Sequence, residues 1–292
     1  MKILILGGNG MLGHHFLNAW QESHDVKVTL RESIDKYNNI QLFNNENSYF
    51  DVDVCSINRV ESVINDFSPD AIVNAIGITK QLTQKESPEL SIRVNALFPH
   101  LLAELCEKNK VRLVHLSTDC IYSGKKGTYS EIDDSDAEDL YGKTKYLGEI
   151  DQEHVVTLRK STIGLELSGA HGLIEWFLSQ TGVINGYRKA IYTGLISSEL
   201  AKVIELLLVQ HPTLSGIWNV ASKPINKYDL LQRLSQRLER KDIQILPDDD
   251  FACDRSLMGN MFEEETGYRA PEWDDMLDLL VNEIRAREYD IK

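Results

Sequence analysis

Along the first half of the chain, short apolar runs alternate with stretches in which apolar residues recur every three or four positions. Residues 3–6 form an apolar run that ends abruptly in glycine, which predicts a buried strand. Leu12, Phe16, Leu17 and Trp20 then share one face of a predicted helix. Further strands are predicted at residues 26–30, 49–53, 70–75, 111–117 and 155–159. Between them, Ser56 is placed to cap a helix carrying Ile57, Val60, Val63, Ile64 and Phe67. Residues 88–108 form a long amphipathic helix and residues 140–152 another. Strand and helix in alternation imply an α/β fold, a doubly wound parallel sheet with right-handed crossovers.

Gly7, Gly8, Gly10 and Gly13 lie between the first strand and the first helix. That order makes a dinucleotide-binding fingerprint of the Rossmann type. The turn needs a positive φ, the backbone must come close to a pyrophosphate, and the helix must pack tightly on its strand. The pyrophosphate then rests on free N–H groups at the helix N-terminus. Two spacings overlap here, Gly8-x-Gly10-x-x-Gly13 and the wider Gly7-x-x-Gly10-x-x-Gly13, and the turn alone does not decide between them.

After residue 162 the rhythm changes. Gly164, Ser168, Gly169 and Gly172 precede a helical stripe through Leu173, Trp176 and Phe177. Helices at 199–210, 226–238 and 272–288 follow, with a strand at 217–220. Trp176 and Trp273 lie on helical stripes and read as core. The division expected is a dinucleotide-binding domain at 1–162 and, at 163–292, mainly a smaller, interleaved substrate-binding lobe.

Composition narrows the partners. Hydrophobic residues make up 42% of the 292, enough for a core, and the net charge of −14 opposes binding to nucleic acid or an anionic membrane. The apolar run after Met1 and Lys2 is too short for a signal-peptide core, and residues 203–209 are interrupted by Glu205. Four scattered cysteines without a Cys-x-x-Cys indicate neither a disulfide framework nor a metal site. A soluble, reduced, cytoplasmic protein is expected.

Tyr141 and Lys145 stand four residues apart, on one face of a predicted helix. A neighbouring ammonium favours the phenolate, so the pair is expected to lower the phenol's pKa and exchange a proton with a substrate oxygen during hydride transfer. Tyr122 and Lys126 have the same spacing, but in a glycine-containing loop, where the side chains need not converge. Ser117 and Thr118 end a buried strand about twenty residues before Tyr141. Hydroxyls there face the ligand crevice of a parallel sheet, and either could hold the reacting oxygen.

Taken together, these features resemble the extended short-chain dehydrogenase/reductases, and most of all their dTDP-4-dehydrorhamnose reductase branch. The resemblance rests on the glycine turn, Asp51-Val52, Asn74-Ala-Ile-Gly77, Pro88-Glu-Leu, Val94-Asn-Ala, the segment from Leu116 to Tyr122, Tyr141-Gly-Lys-Thr-Lys145 and Leu158-Arg159, in order over residues 1–162. It implies Thr118 as the catalytic hydroxyl, Tyr141 as the acid/base, and Lys145 as the residue that holds the nicotinamide ribose and tunes Tyr141. Gly7, Gly10, Met11, Leu12, Gly13, Asn74 and Ala75 would line the cofactor, with Asp51 and Val52 at its adenine. Thr118 and Asp119 would meet the substrate. The activity implied is reduction of a keto group on a nucleotide-activated deoxy sugar, for surface polysaccharide precursors. A homodimer is compatible with it.

Departures from the pattern matter. Arg31 ends the second strand where NAD-dependent relatives place an acid, so NADP(H) is favoured over NAD(H). Cys120 stands where sugar-nucleotide 4,6-dehydratases carry a glutamate, which argues against elimination of water. An inert thiol is the expected state of Cys120. Beyond residue 162 the match thins to Ile217-Trp-Asn-Val-Ala, Asp254-Arg-Ser-Leu and the segment from Tyr268 to Trp273. Arg255 is a candidate for a substrate diphosphate. The competing readings are an NAD-retaining epimerase or dehydratase, and a non-catalytic NADP-binding subunit like the regulatory subunit of methionine adenosyltransferase.

Overall fold

β1 (Lys2–Leu6) runs through the middle of a seven-stranded sheet, and Ile3, Leu4, Ile5 and Leu6 are fully buried because helices cover both faces. The computed structural model describes residues 1–83 and 85–290. In chain order, α1 (Met11–Trp20), β2 (Asp25–Thr29), β3 (Ser48–Tyr49), α2 (Ile57–Phe67), β4 (Ala71–Asn74) and α3 (Lys80–Thr83) follow. Then come α4 (Pro88–Ser91), α5 (Phe98–Asn109), β5 (Arg112–Leu116), α6 (Leu140–Leu147) and β6 (Val155–Arg159). The second half contributes β7 (Thr162–Ile163), α7 (Leu173–Ser179), β8 (Gly182–Tyr192), β9 (Leu195–Ile196), α8 (Ser197–Gln210), β10 (Gly216–Asn219), β11 (Ile225–Asn226), α9 (Lys227–Arg237), β12 (Ile243–Asp254), α10 (Asn260–Thr266) and α11 (Trp273–Asp290).

The large sheet has the order β10-β6-β5-β4-β1-β2-β3, with every pairing parallel. The chain builds outward from β1 to β3, then crosses to β4 on the other side. Connections therefore diverge between β1 and β4 and leave a crevice at the strands' C-terminal ends. β10 pairs with β6, so the second half returns to complete the first sheet. A second sheet, β11-β8-β12, stands apart from it.

Several elements differ from the periodicity's expectation. β3 stops at Tyr49 because Asp51 adopts φ 54°, which turns the chain out of the sheet. Ser56 occupies the N-cap position of α2 without a side-chain cap bond. The predicted helix over 88–108 forms, but residues Ile92–Leu97 between α4 and α5 are wound as a π-helix. Pro99 has no N–H to give to the Asn95 carbonyl, and that carbonyl instead faces Gly148, where a Cβ would lie 2.0 Å from it. The same glycine ends α6 well before residue 152 by donating to the Thr144 and Lys145 carbonyls. β8, β12 and α10 were not expected. β12 carries Pro247 and three consecutive aspartates, and its register against β8 shifts between Asp248 and Ala252, which erases the alternation a strand would show.

Gly13 tests the packing of α1 on β1, since a Cβ there would lie 2.1 Å from the Gly7 carbonyl oxygen. Gly13→Ala is expected to lower the unfolding free energy in urea by about 1–3 kcal/mol. At Gly10 an added Cβ meets only the Gly7 oxygen, at 3.4 Å, so Gly10→Ala is expected to leave the urea midpoint unchanged.

Candidate active site

The cavity begins at the glycine turn. Gly7 adopts φ 91°, and a Cβ there would lie 2.8 Å from Ile76 Cγ1. Gly10 is the N-cap of α1 in extended conformation. No side chain caps this helix and no acidic residue occupies its first turn, so its leading N–H groups are left for an anion. Gly10, Met11 and Leu12 line one end of a cavity of about 500 Å³. This cradle fits the pyrophosphate of a dinucleotide: its glycines keep side chains out, and among the described residues no side chain caps the helix behind it. Ala75 also lines it, whereas the Asn74 side chain is buried, bonded to His115 Nδ1 at 3.1 Å and accepting from the Ile76 N–H at 3.2 Å. Asn74 therefore shapes the turn beside the cavity. Arg31 and Asp51 are exposed beyond β2, Arg31 bonding Glu32 through Nε at 3.1 Å, while Val52 is buried and donates its N–H to the Leu30 carbonyl.

Strand alternation sorts the groups at the far end. Ser117 and Arg159 face one side, where the Ser117 hydroxyl donates to Glu149 at 2.6 Å and Arg159 forms a bidentate pair with the same carboxylate at 2.9 and 2.7 Å. Thr118 falls on the opposite side, in the cavity with Tyr141 and Lys145. Ser117 also lines the cavity, but its hydroxyl is engaged with Glu149, which leaves Thr118 as the better placed of the two candidates. Thr118 also caps a short turn, Asp119–Ile121, by accepting from the Cys120 N–H at 3.1 Å.

Asp139 caps α6 through the Gly142 N–H at 2.8 Å and pairs with Lys80 at 2.6 Å, which fixes the helix presenting Tyr141 and Lys145. Burial pushes the Asp139 carboxyl up, but the Gly142 amide and Lys80 outweigh it and hold it below the ordinary carboxylate range. The phenol of Tyr141 is pushed up, not down as its pairing with Lys145 predicts. Burial is the main cause and the neighbouring Cys120 adds to it, against a downward pull from the Thr118 side chain. Tyr141 thus keeps its proton at neutral pH. Burial and the nearby Lys160 bring the Lys145 ammonium down to about 7, with Glu149 opposing, and its Nζ donates to the Leu116 carbonyl at 2.7 Å.

Tyr122 is turned inward, accepting from Arg159 at 2.9 Å, and Lys126 pairs with Asp133, so this second Tyr/Lys spacing forms no site. The Cys120 thiol is pushed up to about 12 by burial and Asp119, which leaves it inert. Asp119 is buried at the cavity wall, and burial raises its carboxyl against the pull of Arg255. Arg255 reaches the same cavity from the end of β12, its Nε donating to the Tyr122 carbonyl at 2.7 Å. Trp273 is core, and Trp176 packs against that core. The sequence reading passed over Lys160, which lines the cavity immediately after Arg159. Alternation beyond the Leu158-Arg159 motif is the signal that could have found it.

A glycine cradle at the switch point of a doubly wound sheet, leading to a half-buried tyrosine and a buried lysine, defines an extended short-chain dehydrogenase/reductase. The chain belongs to the RmlD substrate binding domain family, whose model matches residues 1–163. It is 25% identical over 242 residues to a dTDP-4-dehydrorhamnose reductase of Aggregatibacter actinomycetemcomitans, covering 78% of this chain and 76% of that one. It is likewise 25% identical over 236 residues to "Probable low-salt glycan biosynthesis reductase Agl14" of Haloferax volcanii, covering 78% and 71%. Among solved structures, a dTDP-4-dehydrorhamnose reductase of Bacillus anthracis in complex with NADP shares the fold, with a TM-score of 0.75 at 19% identity over 97% of this chain and 99% of that one.

The depressed lysine has a thermodynamic signature. Between its folded value of about 7 and the ordinary 10.5, the unfolded chain holds a proton that the folded chain has released. Stability therefore rises with pH across that window, by up to about 1.4 kcal/mol per pH unit for one proton. Urea unfolding between pH 7 and 9 is expected to show a shallower rise for Lys145→Met than for the wild type. Equal slopes would contradict the assignment.

Proposed function

We propose that the protein reduces a keto group on a nucleotide-activated deoxy sugar, using NADPH in preference to NADH. The observation that carries this reading is the convergence of Thr118, Tyr141 and Lys145 in the cavity that starts at the N-terminus of α1. Met11 and Leu12 would hold the pyrophosphate with backbone N–H groups, Gly10 would let it come close, and Gly7 and Gly13 keep that turn tight. Asp51 and Val52 would stand at the adenine, with Asn74 and Ala75 shaping the neighbouring wall. The cofactor supplies the hydride when bound. Tyr141 gives its proton to the carbonyl oxygen as negative charge develops there, and the Thr118 hydroxyl orients that oxygen. Lys145 would hold the nicotinamide ribose and favour loss of the Tyr141 proton. Arg255 is suited to the substrate diphosphate, since its guanidinium reaches the cavity with Nε already anchored on Tyr122.

Two features favour simple reduction over dehydration or epimerisation. Cys120, inert and neutral, stands where elimination of water requires a carboxyl group. Arg31 is well exposed at the end of β2 and suits a 2′-phosphate by charge and fork geometry. The glycan biosynthesis reductase among the relatives supports a setting in polysaccharide precursor synthesis.

The test is NADPH oxidation with a panel of nucleotide 4-keto-6-deoxy sugars. Tyr141→Phe is expected to lower kcat by about 10²- to 10⁴-fold while NADPH still binds. Wild-type turnover in that variant would sink the assignment. Arg31→Ala is expected to weaken NADPH binding and leave NADH binding unchanged, bringing the two cofactors to similar kcat/KM; an unaltered preference would remove Arg31 from the cofactor site.

A further inference from the structure

Lys160 follows Arg159 at the end of β6. The two-residue period sends Arg159 to Glu149 and leaves Lys160 at the cavity wall. Among the described residues its Nζ makes no hydrogen bond or ion pair, and the half-buried side chain lines the cavity. Burial brings its ammonium down to about 8, against the pull of Asp119 and Cys120, so it remains mainly charged at neutral pH. The cavity also holds Lys145 and Arg255, and Arg255 is the main pull on the Asp119 carboxyl. Asp119 is fixed beside Lys160 because its N–H donates to the Lys160 carbonyl at 3.1 Å. The Thr118 hydroxyl donates to Asp119 Oδ1, also at 3.1 Å. An ammonium and a carboxylate thus line the cavity together, adjoining Thr118, without bonding each other.

Lys160 lacks a partner, and Asp119, which accepts from Thr118, keeps further lone pairs free, so a ligand that pairs with both offsets the solvation they lose. That partner must accept from Lys160, donate to Asp119, and lie beside the oxygen that Thr118 is assigned to hold. A hydroxyl group has the lone pairs and the proton for both bonds. A carboxylate or phosphate offers acceptors alone and is repelled by Asp119, while a methylene group satisfies neither side. We propose that Lys160 and Asp119 bracket a sugar hydroxyl on the carbon next to the reacting ketone, which makes Lys160 a specificity residue for hydroxylated over deoxygenated sugars at that carbon. This assignment rests on the reductase function proposed above.

The experiment compares a nucleotide 4-keto-6-deoxyhexose bearing a 3-hydroxyl with its 3-deoxy counterpart. Wild-type protein is expected to prefer the hydroxylated sugar by about 10- to 100-fold in kcat/KM, chiefly through KM, as befits a hydrogen bond to a charged group. Lys160→Met is expected to abolish the preference by raising KM for the hydroxylated sugar alone, with NADPH affinity unchanged. Lys160→Gln, which keeps a donor, is expected to restore part of it. An equal loss for both sugars in Lys160→Met would overturn the assignment. Calorimetric titration with the corresponding 4-hydroxy nucleotide sugars, with and without the 3-hydroxyl, reads the same ratio without turnover. If neither ketose is reduced, the reductase function fails, while the binding ratio still decides the role of Lys160: equal affinities in the wild type would remove it.

Discussion

One buried ion pair holds the far end of the site together. Arg159 and Glu149 are only 5% and 3% exposed, and their bidentate contact joins the end of β6 to the segment that leaves α6. Glu149 also accepts from Ser117 at the end of β5, and Arg159 donates to the Tyr122 phenol and the Glu131 carbonyl. Four stretches of chain thus meet at one guanidinium. Removing either charge would strand the other in the interior, at a cost of about 3–5 kcal/mol. The cluster also fixes which way the neighbouring residues point. With Ser117 and Arg159 committed to Glu149, Thr118 and Lys160 lie on the cavity side.

The π-helical segment supplies the second restraint on α6. Asn95 gives and takes hydrogen bonds with the Ile78 backbone and reaches the Thr144 hydroxyl, while its carbonyl faces Gly148. Asp139 holds the helix's other end. Tyr141 and Lys145 are therefore presented by a helix pinned at the start, the middle and the end, and a short helix of this kind would have little stability of its own. Rigidity suits the role proposed for Tyr141, which requires it within hydrogen-bond reach of a reacting oxygen.

Much of this was legible before the structure because the relevant signals are local. The apolar run of β1, the glycines after it and the stripe along α1 each follow from backbone geometry over a few residues, and all three appear as expected. The Tyr141/Lys145 spacing was legible for the same reason. What escaped was set by contacts distant in sequence. The direction of the Tyr141 shift depends on burial beneath segments that no four-residue motif records. The commitment of Ser117 depends on Glu149, 32 residues away. β8 and β12 stabilise each other across about sixty residues, with glycine, proline and aspartate interrupting the period that would have marked them. Arg255 was found through a resemblance, but its anchor on Tyr122 spans 133 positions.

The place of β10 in the main sheet bears on how such a chain emerges during synthesis. Its residues follow β6 by more than fifty positions, after α7, β8 and α8. Until they arrive, β6 is the sheet's outer strand, with unpaired backbone groups beside apolar Val155, Val156 and Leu158. Such an edge is a template for pairing with another nascent chain. The family-matched segment, residues 1–163, ends at this stage. The family-matched segment thus ends with one edge of its sheet open, and the strand that closes that edge comes from beyond the segment.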